Sequence, residues 1–112
     1  MIFVTGPLFA GKRDYIRCAL GMEEAEFAAK AVWDVQDLAA EATDLQALAE
    51  ALAQKEIVIA TEVGGGVIPV DAGERHAREA AGRLACLLAG MAETAIRVQC
   101  GLPQILKGNL PC

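Results

Sequence analysis

The chain alternates short apolar runs with longer segments in which apolar residues recur at helical spacing. The apolar runs predict buried strands over residues 1–5, 31–35, 56–63 and 94–100. The helical spacing predicts helices over residues 12–20, 43–54 and 71–91. Because strands and helices alternate at intervals that suit right-handed crossovers, the pattern predicts an α/β fold built on a parallel sheet.

Turn and capping residues separate these segments. Gly21 is placed to end the first helix, and either Thr43 or Asp44 is placed to cap the second. Residues 22–30 are too short and too mixed in character to assign. Residues 101–103 predict a turn into a terminal tail.

Length and composition favour the same architecture. The chain has no internal repeat or interdomain linker, so residues 1–112 are predicted to form one domain. Hydrophobic residues make up 54% of the chain and aromatic residues only 4%, so the core has to consist mainly of aliphatic side chains. Such a core suits a parallel sheet whose faces are covered by alanine-rich helices.

The charge balance excludes one class of partner. The formal net charge is −5, and no basic face is available to neutralise a nucleic-acid backbone, so nucleic acid is not expected to bind. No apolar run approaches the ~20 residues that a transmembrane helix needs. The first residues lead directly into a strand pattern rather than a signal peptide, and the four cysteines lack metal-ligand spacing. We therefore expect a cytoplasmic protein with free thiols.

The segment after the first strand has the spacing of a phosphate-binding loop. Residues 6–12 match G-x-x-x-x-G-K, in which the glycines let the backbone wrap around phosphate oxygens and the lysine contacts the terminal phosphates. The helix predicted to follow would direct its N-terminus at the bound anion. The residues expected to contact a nucleotide are Gly6, Pro7, Leu8, Phe9, Ala10, Gly11, Lys12, Arg13 and Asp14.

One position departs from the usual loop. The residue after the lysine is ordinarily Ser or Thr, whose hydroxyl group ligates Mg²⁺, and here it is Arg13. A guanidinium group cannot ligate a cation, and a positive charge in the first helical turn opposes the helix dipole. Arg13 either adds charge against a phosphate or points to solvent, so Mg²⁺ binding does not follow from the motif.

Two carboxylates lie at the ends of predicted strands, at the edge where open parallel sheets bind ligands. Asp34 lies near the end of the second strand, and Glu62 ends the third just before three glycines. Either carboxylate is a candidate metal ligand, and Glu62 could also polarise an attacking hydroxyl group. The alternatives are a solvated acid for Asp34 and a carboxylate held by the loop amides for Glu62. The predicted catalytic residues are therefore Lys12, Glu62 and Asp34, and the two acids are the predicted metal ligands.

The third strand leads into a more specific segment. Residues 62–69 read EVGGGVIP. The segment that follows contains Arg75, Arg78, Gly82 and Arg83. This segment is similar to the E-V-G-x-G-[IV]-[IV]-P segment of the adenosylcobinamide kinase/adenosylcobinamide-phosphate guanylyltransferase family, and the arginines follow at that family's spacing. The opening strand with its loop and the end of the chain over residues 101–108 also resemble that family.

The resemblance implies a chemistry and an architecture. Members of this family phosphorylate the aminopropanol hydroxyl of adenosylcobinamide with ATP or GTP, and then transfer GMP from GTP through a guanylylated histidine. The implied fold is a P-loop NTPase domain of the RecA-like type, with about four parallel strands in the order 4-1-3-2 flanked by helices. That order would place Glu62 beside the loop and Asp34 one strand further out. Homo-oligomers, typically trimers, are also implied.

The departures from the family lie at ligand-facing positions. The interval that holds the guanylylated histidine in the family is reduced here to residues 22–30, which contain no histidine. The only histidine, His76, lies elsewhere and is expected to be a solvated helix residue. Thr61 stands where the family usually has Asn, and Ala85-Cys86 stands where it usually has Asn-Gln. The covalent histidine–GMP step is therefore not expected.

Two functions are compatible with these observations. The first is a nucleotide-dependent kinase of cobalamin biosynthesis that acts on adenosylcobinamide and lacks the guanylyltransferase step. The alternative is a catalytically degenerate module that binds a nucleotide, a phosphate or a corrinoid, either as an oligomer or with a partner enzyme.

Overall fold

The structure is a computed structural model, and it describes residues 1–63 and 71–109. The strands in these ranges are β1 (Ile2–Gly6), β2 (Ala31–Val32), β3 (Ile57–Thr61), β4 (Thr94–Gln99) and β5 (Leu102–Lys107). The helices are α1 (Lys12–Ala19), α2 (Glu24–Lys30), α3 (Gln36–Ala39), α4 (Leu45–Leu52) and α5 (Ala72–Met91). The glycine-rich part of the EVGGGVIP segment lies outside the described residues.

The strands form one sheet in the order β2-β3-β1-β4-β5. The central strand β1 is parallel to both neighbours, and Val4 lies opposite Ile59 on one side and Ile96 on the other. β2 is also parallel to β3, and all five residues of β3 are buried because helices cover both faces of the sheet. The prediction of an α/β fold on a mostly parallel sheet is confirmed.

The prediction of a terminal tail after the fourth strand is wrong, because the chain returns as β5. Cys100 and Gly101 have φ values of 53° and 72°, the backbone of a two-residue hairpin turn. Gln99 consequently lies opposite Leu102, and β5 pairs antiparallel with β4. Every residue of β5 is exposed, so no alternation of buried and exposed positions marks this strand in the sequence. The sheet of the described residues thus has five strands rather than about four.

The second strand is shorter than predicted. Its pairing with β3 ends at Val32, and Asp34 adopts a left-handed φ of 57° that turns the chain into α3. The N–H of Val35 still donates to the carbonyl of Ile59 at 3.4 Å, so this turn stays against β3. Residues 22–30, which the pattern left unassigned, contain α2. Helix α3 has only four residues, too few for a helical period to be visible in the sequence.

Local capping explains where three of the helices begin or end. Gly21 has a φ of 65°, and its N–H donates to Cys18 while that of Met22 donates to Arg17, which is the Schellman pattern at a helix C-terminus. At the start of α4, the Asp44 side chain accepts from the N–H of Ala47, so Asp44 rather than Thr43 is the cap. Asp71 caps α5 in the same way.

Hydrophobic cores lie on both faces of the sheet. On one face α3, α4 and α5 pack on β1 and β3, with Phe3 and Leu88 almost fully buried between them. On the other face α1 and α2 cover the sheet through Ile16 and Phe27. The glycine loop after β1 lies at the carboxyl edge of the parallel strands, where open α/β sheets bind ligands.

Two further expectations can be compared with the described residues. No helix in residues 1–63 and 71–109 combines the length and the hydropathy required to cross a membrane. Cys18, Cys86 and Cys100 are exposed free thiols, whereas Cys112 lies outside the described residues.

Candidate nucleotide site

Two glycines with positive φ shape the loop between β1 and α1. Gly6 has a φ of 151°, and a side chain at this position would collide with the backbone carbonyl group of Val98 on β4. Gly11 has a φ of 83° and immediately precedes α1. The carbonyl of Ala10 accepts a hydrogen bond from the N–H of Gly101 at 2.8 Å. The loop is therefore held close to β4 at its first residue and to the β4–β5 turn near its end.

The tip of the loop is apolar and exposed. Leu8 and Phe9 are 65% and 94% exposed, and Phe9 adopts a φ of 59° that is unusual for a residue with a side chain. Both residues lie at the mouth of the cavity described below. An apolar surface is thus available at the entrance to the phosphate-binding loop.

Lys12 is the charged residue that the loop buries. The residue is 8% exposed, and its Nζ donates to the carbonyl of Pro7 at 2.7 Å. Burial lowers the pKa of Lys12, while the carboxylates of Asp34 and Glu62 act against that shift. Within the loop, the partner of the ammonium group is therefore the Pro7 carbonyl.

A cavity of about 430 Å³ opens beside the loop, within the size range of small-molecule sites. Its lining joins residues from three parts of the chain, among them Phe9, Lys12, Arg13, Trp33, Asp34 and Thr61. Asp34 is exposed and enters this lining because its left-handed backbone turns the chain at the end of β2. The structure therefore brings together the predicted catalytic residues Lys12 and Asp34.

Glu62 lies near the loop but does not line the cavity. Its N–H donates to the carbonyl of Gly6 at 2.9 Å, which continues the β1–β3 pairing. Its two carboxylate oxygens accept from Arg97, one from Nε at 2.6 Å and the other from Nη2 at 3.3 Å. The Nη1 of Arg97 donates to Gln99 at 2.7 Å. The carboxylate is thus held by a guanidinium group on β4, whereas the loop amides of residues 64–66 lie outside the described residues.

Sequence reasoning did not single out Arg97. The signal was present, because Arg97 is the one charged residue within the apolar run TAIRVQC. Its position on β4 matters because β1 lies between β3 and β4, so the Glu62–Arg97 pair reaches across the strand that leads into the loop. Pairing with Glu62 raises the pKa of Arg97.

Sequence reasoning also missed Trp33. The guanidinium carbon of Arg13 lies 5.2 Å from the Trp33 ring centroid, in the range of a cation–π interaction. The same ring stacks on Phe27, with the centroids 5.8 Å apart and the planes 12° from parallel. The exposed Arg13 side chain therefore lies over the Trp33 ring, and both residues line the cavity.

These residues do not provide the ligands of the Mg²⁺ ion that P-loop enzymes use. Arg13 replaces the hydroxyl ligand, and both carboxylate oxygens of Glu62 accept from Arg97. Across the two described ranges, no three His, Cys, Asp or Glu side chains come close enough together to hold a metal ion. That Asp34 and Glu62 bind a cation stays a prediction, and the pairing of Glu62 speaks against it.

The only histidine of the chain is remote from this cavity. His76 is exposed on α5, and its Nε2 lies 3.3 Å from the carbonyl of Ala40. Helix α2 lies in the interval that holds the guanylylated histidine in the family that this sequence resembles, and α2 contains no histidine. No histidine is therefore positioned at the cavity among the described residues.

A mostly parallel α/β sheet with a glycine loop after its central strand is compatible with a P-loop type of fold. The profile of the family described as cobinamide kinase / cobinamide phosphate guanyltransferase matches residues 16–106, most of the chain. The chain therefore belongs to the cobinamide kinase / cobinamide phosphate guanyltransferase family. No curated protein sequence matches the chain significantly.

Family membership associates the chain with cobalamin biosynthesis and with nucleotide and cobinamide substrates. The matched region begins inside α1, so the loop up to Lys12 lies before it. The glycine loop and the match to the family profile are consequently two separate observations, and they concern adjoining parts of the chain.

Proposed function

We propose that this protein is a nucleotide-dependent kinase that transfers a phosphoryl group from ATP or GTP to a hydroxyl group of adenosylcobinamide. The observation that carries the proposal is the cavity in which Lys12 and Asp34 lie together beside a glycine loop. This cavity belongs to a chain of the cobinamide kinase / cobinamide phosphate guanyltransferase family, which supplies the class of acceptor.

The residues divide the work of phosphoryl transfer between them. The loop amides and Lys12 hold the phosphates, and the α1 N-terminus adds its positive end. The acceptor hydroxyl oxygen forms a bond to the γ-phosphorus, the bond to the bridging oxygen breaks, and the nucleoside diphosphate leaves. The hydroxyl proton passes to a carboxylate, for which Asp34 is better placed than Glu62 because it lines the cavity.

The guanylyltransferase step is proposed to be absent. A covalent GMP intermediate on histidine needs an imidazole beside the phosphates, and α2 contains no histidine. His76 is not among the residues that line the cavity. Incubation with GTP labelled in the α-phosphate should therefore leave no acid-labile label on the protein. Labelled protein would overturn this part of the proposal.

We also propose a RecA-like arrangement of the strands and assembly into a homo-oligomer. The position of β1 between β3 and β4 supports a RecA-like arrangement. The exposed apolar side chains Leu102, Ile105 and Leu106 on the edge strand β5 support a homo-oligomer, with a trimer implied by the family. Sedimentation analysis of the purified protein tests the oligomeric state directly.

A binding module without turnover is the second candidate function. It is favoured by Arg13 at the hydroxyl position and by the Glu62–Arg97 pair, which together remove the usual hydroxyl ligand and engage the candidate carboxylate ligand. Such a module would bind a nucleotide, a phosphate or a corrinoid and act as an oligomer or with a partner enzyme. It predicts nucleotide binding without formation of cobinamide phosphate.

The test is formation of labelled cobinamide phosphate from γ-labelled ATP or GTP at high enzyme concentration. Lys12→Ala should abolish product and weaken nucleotide binding, whereas Lys55→Ala removes the same charge from an exposed position outside the cavity. Asp34→Asn should lower kcat by roughly 10²–10⁴-fold, and Asp37→Asn, which lies outside this cavity, serves as its control. Nucleotide binding without any product would favour the binding module.

A further inference from the structure

We propose that this chain binds its nucleotide in the metal-free form, because Arg13 replaces the usual hydroxyl ligand of a divalent cation and Arg97 pairs with the candidate carboxylate ligand Glu62. The inference rests on the proposed nucleotide site and concerns which form of the nucleotide it selects. It departs from the metal-bound nucleotide that the fold family implies.

Arg13 provides the first reason. The residue after the loop lysine normally offers a hydroxyl oxygen to Mg²⁺, whereas a guanidinium group has only N–H donors. Its guanidinium carbon lies 5.2 Å from the Trp33 ring centroid, and both residues line the cavity that contains Lys12. A second cationic side chain therefore lines the cavity that contains Lys12.

Arg97 provides the second reason. A metal ion near the loop needs carboxylate oxygens, and both oxygens of Glu62 already accept hydrogen bonds from Arg97. The two-pronged contact fixes the plane of the carboxylate, and Gln99 holds the third guanidinium nitrogen. A cation at Glu62 would have to share the carboxylate with the Arg97 guanidinium group and would meet its positive charge.

The charges that remain at the cavity point in the same direction. Asp14 and Asp34 line it together with Lys12 and Arg13, so the fixed charges of these four residues cancel. Because these charges cancel, the lining has no net attraction for a divalent cation, and a preference for one form of the nucleotide depends on where Lys12 and Arg13 lie in the cavity. A metal-free triphosphate carries two more negative charges than its Mg²⁺ complex, and it offers those charges to the two cationic side chains.

Calorimetric titration with ATP and with GTP, in EDTA and in excess Mg²⁺, tests the inference. We expect binding in EDTA to be at least as tight as binding in Mg²⁺. In the double variant Arg13→Ser/Arg97→Gln the order should reverse, with Mg²⁺ tightening binding by roughly tenfold, the factor expected for one charge-assisted contact. Arg97→Lys preserves the charge and should retain the wild-type preference.

Matched controls separate the possible results. Lys55→Ser removes a cationic side chain from an exposed position outside the cavity and should leave both titrations unchanged. Circular dichroism shows whether each variant keeps the fold. Wild-type binding that requires Mg²⁺ would overturn the inference and leave the nucleotide site standing. Absence of binding under both conditions would overturn the proposed nucleotide site, and this inference with it.

Discussion

The conformation of Gly6 leads to a prediction that links stability to the phosphate-binding loop. Replacing Gly6 with Ala places a Cβ atom against the carbonyl group of Val98, at a φ of 151° that residues with side chains rarely adopt. The backbone strain costs about 1–3 kcal/mol. The overlap with β4 adds about 1–3 kcal/mol, as overpacking does in well-packed cores. The free energy of unfolding should therefore fall by about 2–6 kcal/mol, out of roughly 5–15 kcal/mol for a domain of ordinary stability.

The assay is thermal and urea unfolding followed by circular dichroism. For a chain of this length each kcal/mol corresponds to roughly 4 °C, so the melting temperature of Gly6→Ala should fall by about 8–24 °C. Nucleotide affinity should fall as well, because β1 and β4 can accommodate the methyl group only by moving the first residue of the loop.

Gly82→Ala is the matched control for this substitution. Gly82 is exposed within α5, and a Cβ atom at this position would have no neighbouring atom within 4 Å outside the backbone of its own helix. The same change should there stabilise the protein by about 0.5–1 kcal/mol, since alanine is the better helix former. A Gly6→Ala protein that melts within about 2 °C of the wild type would refute the assigned backbone conformation and the contact with β4.

Three further predictions address the core, a cap and the buried lysine. Leu88→Ala empties a fully buried position beneath α5 and should lower the free energy of unfolding by about 2–5 kcal/mol, measured in urea. Asp71→Ala removes the side chain that accepts from the N–H of Glu74 at 2.6 Å and should cost about 1 kcal/mol, read from the melting temperature. Burial lowers the pKa of Lys12 below its ordinary value of about 10.4. Between these two values the unfolded chain binds more protons than the folded protein, so the free energy of unfolding should rise with pH. Below this alkaline window Lys12 should add no pH dependence. Urea titrations over that window should lose this rise in Lys12→Met, and an unchanged slope would contradict the burial of the ammonium group.

Much of the fold was predictable because its signals are local. Apolar runs marked the strands that are buried on both faces, such as β3, and helical spacing marked α1, α4 and α5. The exposed strand β5 was missed because exposure removes the alternation on which strand prediction depends. The four-residue helix α3 was missed because it is shorter than the window in which a helical period can be detected.

The residues of the candidate site also divide into those with a local signal in the sequence and those that depend on packing. The glycine spacing and Lys12 were visible in the sequence, since a phosphate-binding loop is a contiguous segment. Asp34 was placed at the correct edge because a strand end is also a local feature, and the structure puts it in the cavity with Lys12. Trp33 gave no signal beyond that of a strand residue, because its contact with Arg13 depends on how α1 packs beside β2.

By itself, the sequence determined the alternation of strands and helices, the glycine loop and the family to which the chain belongs. The tertiary structure alone decided the partner of Glu62, because Arg97 is 35 residues away and reaches it only when β3 and β4 flank β1. It likewise decided that the exposed Arg13 side chain lies over the Trp33 ring. The physical reason is that charge and packing act through space. Whether a carboxylate is free to bind a cation depends on which strands the sheet places side by side.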